Sequence, residues 1–292
     1  MYPWPFEYVR AESVEHAVAT LAEHDGDAVV LAGGCSLIPL MKYRLAQPEV
    51  LVDISGLTDE LGHVRHSDDE VHVGATVRHG EAVDHPDAAA QPLIGRIAAG
   101  VADVQIRNMG TVVGGVCSVA PISDWITALI ALRGTVVARS TRGERTVDSD
   151  SFVVGIYQNS LEEDELATEV RFPAANGRSG ASHQKLLVRA NDAMVNTSAA
   201  VTVDDDGRIT AAGIGVGSVS GDPFRATAAE EMIVGLRPEP SLLAEAARVA
   251  LADVEAFSDA HGDATYRKAA AASLLQRAVE AAYAEATGEG SA

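Results

Sequence analysis

The chain has 292 residues and a formal net charge of −20 at pH 7. That surplus of carboxylates excludes a nucleic-acid backbone and an anionic membrane surface as partners, since both demand a basic face. Hydrophobic residues at 47% are enough for a sizeable core, and aromatics at 4% leave that core to Ala, Val, Leu and Ile.

The opening residues, Met1 to Ser13, lack a basic segment followed by an apolar one, so no signal peptide is expected. No apolar run is long enough to span a bilayer, and a cytoplasmic protein is expected. Val14, Ala17, Val18 and Leu21 recur at helical spacing behind Ser13, which predicts a capped helix over 13–24. A buried strand is read at Ala28 to Leu31, then a glycine-rich loop from Leu31 to Leu37, a helical turn from Pro39 to Leu45, and a strand from Val50 to Ile54. This βαβ-like opening invites a Rossmann reading, but Gly33 and Gly34 are adjacent and no third glycine completes G-x-G-x-x-G.

Val64 to Val73, broken at Asp68 and Asp69, reads as a hairpin, and Thr76 as the cap of a short helix ending before Pro86. His63, His66, His72, His79 and His85 show no metal-ligand spacing and read as surface residues, so no metal site is expected. Leu93 to Val101 reads as helix. Ile106 to Asp124, IRNMGTVVGGVCSVAPISD, then has neither helical nor strand period. Its Gly114 and Gly115 admit a ligand to bare backbone, Thr111 and Ser118 offer hydroxyls, and successive N–H groups there can form an anion nest. Two glycine-rich stretches far apart in sequence point to one extended ligand with phosphates held between them. Cys35 and Cys117, one in each, are too few for a disulfide framework and read as small apolar filler.

Asp124 stands as N-cap of an apolar helix, Trp125 to Leu132. A strand at Thr135 to Ala138 follows, with a hairpin over Arg139 to Val147 turning at Gly143 and further strands at Asp150 to Val154 and Leu166 to Phe172. Small polar residues from Ala174 to Ser182 read as a linker. Three strands are predicted beyond it, His183 to Val188, Val195 to Val203 and Ile209 to Gly217, with a turn over Asp204 to Gly207. Gly213, Gly215 and Gly217 alternate inside the third, which signals close packing and not a nucleotide loop. Helices over Ala226 to Val234, Leu242 to Val254 and Tyr266 to Ala286 complete the chain. Alternating elements followed by clustered strands make the expected class α+β.

AGG-x-S at 32–36, RN-x-x-T with GG at 107–115, P-x-x-D at 121–124, DELATEVRFP at 164–173, and then Lys185 and Arg189 stand in one order. In that order and spacing, over nearly the whole chain, the sequence resembles the FAD-binding medium subunit of the molybdenum hydroxylases, enzymes of the xanthine dehydrogenase and carbon monoxide dehydrogenase type. The resemblance implies a two-subdomain FAD-binding fold of the vanillyl-alcohol-oxidase/PCMH type over 1–175, split near residue 55. It implies a C-terminal domain of three antiparallel strands and helices over 176–292. FAD would lie between the two subdomains, its ring close to the C-terminal domain. The residues matching the first FAD loop are Val30, Leu31, Ala32, Gly33, Gly34, Cys35, Ser36 and Leu37, and those matching the second are Thr111, Val112, Val113, Gly114 and Gly115. Asp124 matches an acidic position that binds a cofactor hydroxyl, Lys185 a basic one near the flavin ring, and Ala167 a position where Leu commonly covers the flavin. Arg189 matches as well, either there or as an interface residue. The chain departs from the pattern at Val113, Gly115, Cys35 and Ala167, which bears on ring contact and affinity. No residue is expected to act as general acid or base.

By the same resemblance, a molybdopterin large subunit and an iron–sulfur small subunit are the partners, assembled as a dimer of heterotrimers. Electrons would pass from the iron–sulfur subunit to this FAD and on to NAD⁺, oxygen, a quinone or another acceptor. Two cysteines cannot hold an iron–sulfur cluster, so the [2Fe–2S] clusters and molybdopterin belong to the partners. A stand-alone flavin oxidoreductase and a structural subunit that has lost FAD are the alternatives.

Overall fold

A computed structural model describes residues 2–188 and 192–289. Three short strands, β1 (Glu7–Arg10), β2 (Ala28–Leu31) and β3 (Val50–Asp53), form a parallel sheet in the order β1-β3-β2. Every residue of the central β3 is buried, as a parallel strand covered on both faces must be. β1 is largely exposed, so no apolar pattern announced it. The helix Val14–Glu23 joins β1 to β2, and Ser13 Oγ accepts from the His16 N–H at 3.1 Å, satisfying one of the free amides of the first turn.

The predicted hairpin forms from β4 (Val64–Ser67) and β5 (Glu70–Gly74), with Asp68 and Asp69 at φ 52° and 65°, as a primed turn demands. β6 (Thr135–Ser140) and β7 (Gly143–Asp148) make a second hairpin; β8 (Val153–Gly155) and β9 (Gln158–Asn159) make a small separate one. β10 (Leu166–Pro173) then inserts between β5 and β6, closing a five-stranded antiparallel sheet, β4-β5-β10-β6-β7. Apolar residues of both sheets and of the helices Pro92–Gly100 and Asp124–Leu132 merge into one continuous core.

The third sheet is antiparallel: β11 (Ser179–Leu187), β12 (Ala193–Val203), β13 (Ile209–Gly217) and β14 (Phe224–Arg225). The two-residue β14 is a fourth strand beside the three expected. The expected linker is shorter than its composition implied, because Ser179 to Ser182 already pair with Thr202 to Ala199 of β12. With the helices Thr227–Ile233, Pro240–Ala250 and Ala264–Thr287 this sheet encloses a second core. The glycine alternation in β13 serves packing, as expected. A Cβ on Gly213 would stand 2.0 Å from the Ala131 carbonyl oxygen, and one on Gly215 2.3 Å from that of Thr127. The bare strand thus seats the helix Asp124–Leu132 directly on the third sheet. Among the described residues no helix is long and apolar enough to cross a membrane.

Four local expectations change. Thr76 caps nothing: the short helix is His79–Ala82, with Arg78 at its N-cap position. The stretch read as aperiodic contains two helical segments, Val104–Arg107 and Val112–Cys117, the second capped by Thr111, whose Oγ1 accepts from the Gly114 N–H at 3.1 Å. Asp124 is the first helical residue, Ser123 taking the cap position. The run from Asp150 begins as the helical turn Ser149–Phe152. The histidines also divide. His66 is exposed, but His63 and His72 reach Glu169 at 2.7 and 2.9 Å, beside Arg65 and Arg171. Burial would raise the Glu169 carboxyl; these hydrogen bonds outweigh it and hold the acid well below its usual range. His79 leaves the surface altogether.

Candidate functional site

β2 ends at Leu31, and the chain then turns sharply through Ala32 to Ser36 before the short helix Leu37–Lys42. Gly34 makes the turn at φ +71°, in the left-handed region open to glycine at little cost. Gly33 is there for a different reason: a Cβ on it would stand 2.2 Å from the Met109 carbonyl oxygen and 2.7 Å from Gly110 Cα. The two glycine-rich stretches therefore touch backbone to backbone. No backbone N–H from Gly33 to Leu37 donates to a protein acceptor among the described residues. A run of free amides beside open space is an anion-holding concavity.

That space is a cleft of about 420 Å³. The first stretch lines it from Val30 to Leu37, facing Thr111, Val113, Gly114 and Gly115 of the second, with Ala167 on the rim of β10. A smaller space of about 240 Å³ shares Leu31, Ala32, Gly33 and Thr111 and continues toward Asp53, Ser55 and Arg78. Val112 turns its side chain into the core instead. Gly114 is exposed to the cleft, and a Cβ there would meet only Thr111 Oγ1 within 4 Å, at 2.7 Å. A Gly114→Val chain is accordingly expected to fold but to give up FAD, because the branched side chain fills the approach; unchanged affinity by fluorescence titration would remove the second stretch from the site.

Asp124 and Lys185 stand off the cleft lining, bonded to each other at the seam with the third sheet. Lys185 Nζ donates to Asp124 Oδ2 at 2.7 Å and to the Gly100 carbonyl at 2.8 Å. Asn196 Nδ2 lies 3.3 Å from Asp124 Oδ1, and His183 Nε2 3.2 Å from the same oxygen. Arg189 lies outside the described residues.

Sequence reasoning missed His79, Tyr157, Asn159 and Glu165, all on the cleft wall. Tyr157 sits at the tip of the β8–β9 hairpin with φ +56°, its N–H bonded to the Val119 carbonyl. Glu165 is bonded to Arg145, whose hydrogen bonds hold its carboxyl below the usual range against the effect of burial. His79 is 5% exposed and stacks on Trp125 with ring centroids 5.8 Å apart, and burial drives its pKa down to about 4. Burial raises Cys35 and pushes Cys117 up to about 12, so both are neutral free thiols, as small apolar residues in the wall should be. Among the described residues no nucleophile–base hydrogen bond stands on the wall.

An extended ligand with a central diphosphate fits these paired glycine stretches, which defines a dinucleotide-binding fold outside the Rossmann type. Residues 4–175 match the FAD-binding domain in molybdopterin dehydrogenase, and 184–282 the carbon monoxide dehydrogenase flavoprotein C-terminal domain. The carbon monoxide dehydrogenase medium chain of Hydrogenophaga pseudoflava is 34% identical over 97% of this chain and 99% of its own. The structure of that organism's carbon monoxide dehydrogenase lacking the Mo-pyranopterin moiety superposes with a TM-score of 0.93, at 34% identity over 98% of this chain and 99% of that one. Quinoline 2-oxidoreductase from Pseudomonas putida 86 gives 0.90 at 30% identity, over 98% of this chain and 99% of that one. The chain belongs to the FAD-binding medium subunits of the molybdenum hydroxylase family and is an oxidoreductase flavoprotein subunit with FAD as its cofactor.

Proposed function

We propose that this chain is the electron outlet of a cytoplasmic multi-subunit hydroxylase. Through a bound FAD it receives electrons from an iron–sulfur subunit that draws on a molybdopterin subunit, and delivers them to NAD⁺, oxygen, a quinone or another acceptor. A dimer of such heterotrimers is the assembly. The observation that carries this reading is the run of amides from Gly33 to Leu37, without acceptors among the described residues, facing the second glycine stretch across one cleft. Diphosphate oxygens would accept from those amides, and Thr111 and Ser36 supply hydroxyls beside them. FAD contributes the redox chemistry, and the chain's part is to bind, orient and tune it. A flavin ring reaching toward the third sheet would meet Asp124 and Lys185 as a preset pair behind the wall, the carboxylate fixing an ammonium that would favour the reduced, anionic ring.

The relatives' names, carbon monoxide in one and quinoline in another, sit on one shared fold, which supports placing substrate choice on another subunit. The purified chain, supplied with FAD, is expected to show flavin absorbance but no turnover of its own until partner subunits are added. Failure to take up FAD would favour the structural reading. Substrate turnover by the isolated chain would favour a self-sufficient oxidoreductase.

A further inference from the structure

His79 has a job on the cleft wall that its place in the sequence hides. Its backbone N–H donates to the Gly110 carbonyl at 3.0 Å, which pins the first turn of His79–Ala82 to the second glycine stretch. Its ring lies against Trp125, nearly parallel at 17°, and the Trp125 indole N–H donates to Nδ1 at 3.2 Å. An indole can only donate, so Nδ1 is the acceptor and the ring proton resides on Nε2. The indole is itself fixed from behind, since a Cβ on Gly115 would stand 2.6 Å from Trp125 Cδ1. Nε2 has no protein hydrogen-bond partner among the described residues, and in a side chain that is otherwise almost wholly buried it is not one of the closed-off polar atoms, so it faces the cleft that His79 lines. It lies beside Gly110, where a Cβ would come within 3.0 Å of it, and so next to the point where Gly33 meets Gly110. Nε2–H is thus a donor in a fixed direction at the cleft wall, without a protein acceptor among the described residues. A ligand oxygen in the cleft would be its acceptor.

We propose that His79, held in one tautomer by Trp125, donates through Nε2–H to a diphosphate oxygen of bound FAD and positions the cofactor between the two glycine stretches. This rests on the FAD reading of the cleft. A neutral imidazole is the suitable donor here: it is rigid and adds no buried charge, and its N–H direction is set before the ligand arrives.

The test uses the full chain after removal of bound flavin with chaotropic salt, titrated with FAD and separately with ADP, which keeps the diphosphate but not the flavin. His79→Leu is expected to weaken both by roughly ten- to a hundredfold, the range of one hydrogen bond to a charged group. His79→Gln, which keeps an N–H donor, should recover part of that loss for both ligands. In ¹⁵N-histidine-labelled wild type the Nε2-bound proton of His79 should shift on adding FAD, while Nδ1 stays unprotonated. This reading needs no properly folded variant. Unchanged affinities in both variants, a loss confined to FAD with ADP unaffected, or an unmoved Nε2 proton would each overturn the proposal while leaving FAD in the cleft. A wild-type chain that takes up neither ligand would overturn the FAD reading, and this inference with it.

Discussion

Replacing Gly33 by alanine is expected to lower FAD affinity by roughly ten- to a hundredfold while the chain still folds. The new methyl group would stand 2.2 Å from the Met109 carbonyl oxygen, well inside contact distance, and both obstructing groups are backbone. Neither can swing away as a side chain would, so the two glycine stretches must separate. Overpacking of this kind costs about 1 to 3 kcal/mol. Here it falls on the seam that shapes the cleft, and every 1.4 kcal/mol is about tenfold in binding. Flavin fluorescence titration measures the affinity and a denaturant midpoint measures the fold. Full FAD affinity with an intact midpoint would mean that the backbone contact at Gly33 does not define the site.

Loss of Asp124 acts on stability first. Its carboxylate is buried at 7% exposure and meets Lys185, His183 and Asn196. Asp124→Ala takes the negative partner from this group at the seam with the third sheet, and is expected to cost about 3 to 5 kcal/mol. Asp124→Asn, which keeps the shape and one acceptor, should cost less. The pH dependence follows in sign. Burial would raise the Asp124 carboxyl, but the adjoining His183 ring and the Lys185 ammonium outweigh it and hold the acid below its ordinary value. A carboxyl lowered by folding stabilises the native state fully above the unfolded value, about 4, and loses that contribution as pH falls toward the folded value. Urea midpoints for wild type and Asp124→Ala should therefore lie far apart at neutral pH and converge in acid. A gap that stays constant down to pH 3 would contradict the ion-pair account.

Much of the fold was legible because local periodicity announced it. The stripe of Val14, Ala17, Val18 and Leu21, the Asp68-Asp69 turn, and the long strands β12 and β13 each bury one face of a regular element, and burial patterns of that kind are written in spacing. Both glycine stretches were visible too, as bare backbone with nothing else to explain it. Elements whose stability comes from distant partners left no such mark. β1 is an exposed edge held by β3, and β14 is two residues long. The helix Val112–Cys117 contains Gly114 and Gly115, poor helix formers, and persists through the Thr111 cap and the packing of Val112, Val113 and Val116. His79 sat among hairpin histidines and looked like one of them.

From the linear chain alone came the class of ligand, the strong negative charge, and the pairs of glycines that leave backbone open to a cofactor. These depend on residue identity and neighbouring spacing. The joining of the two stretches at Gly33, the pairing of Asp124 with Lys185, and the turning of His79 onto Trp125 were decided only by tertiary structure. Each is a contact between groups remote along the chain, set by which strands pair and which helix the third sheet receives, and no local period records it.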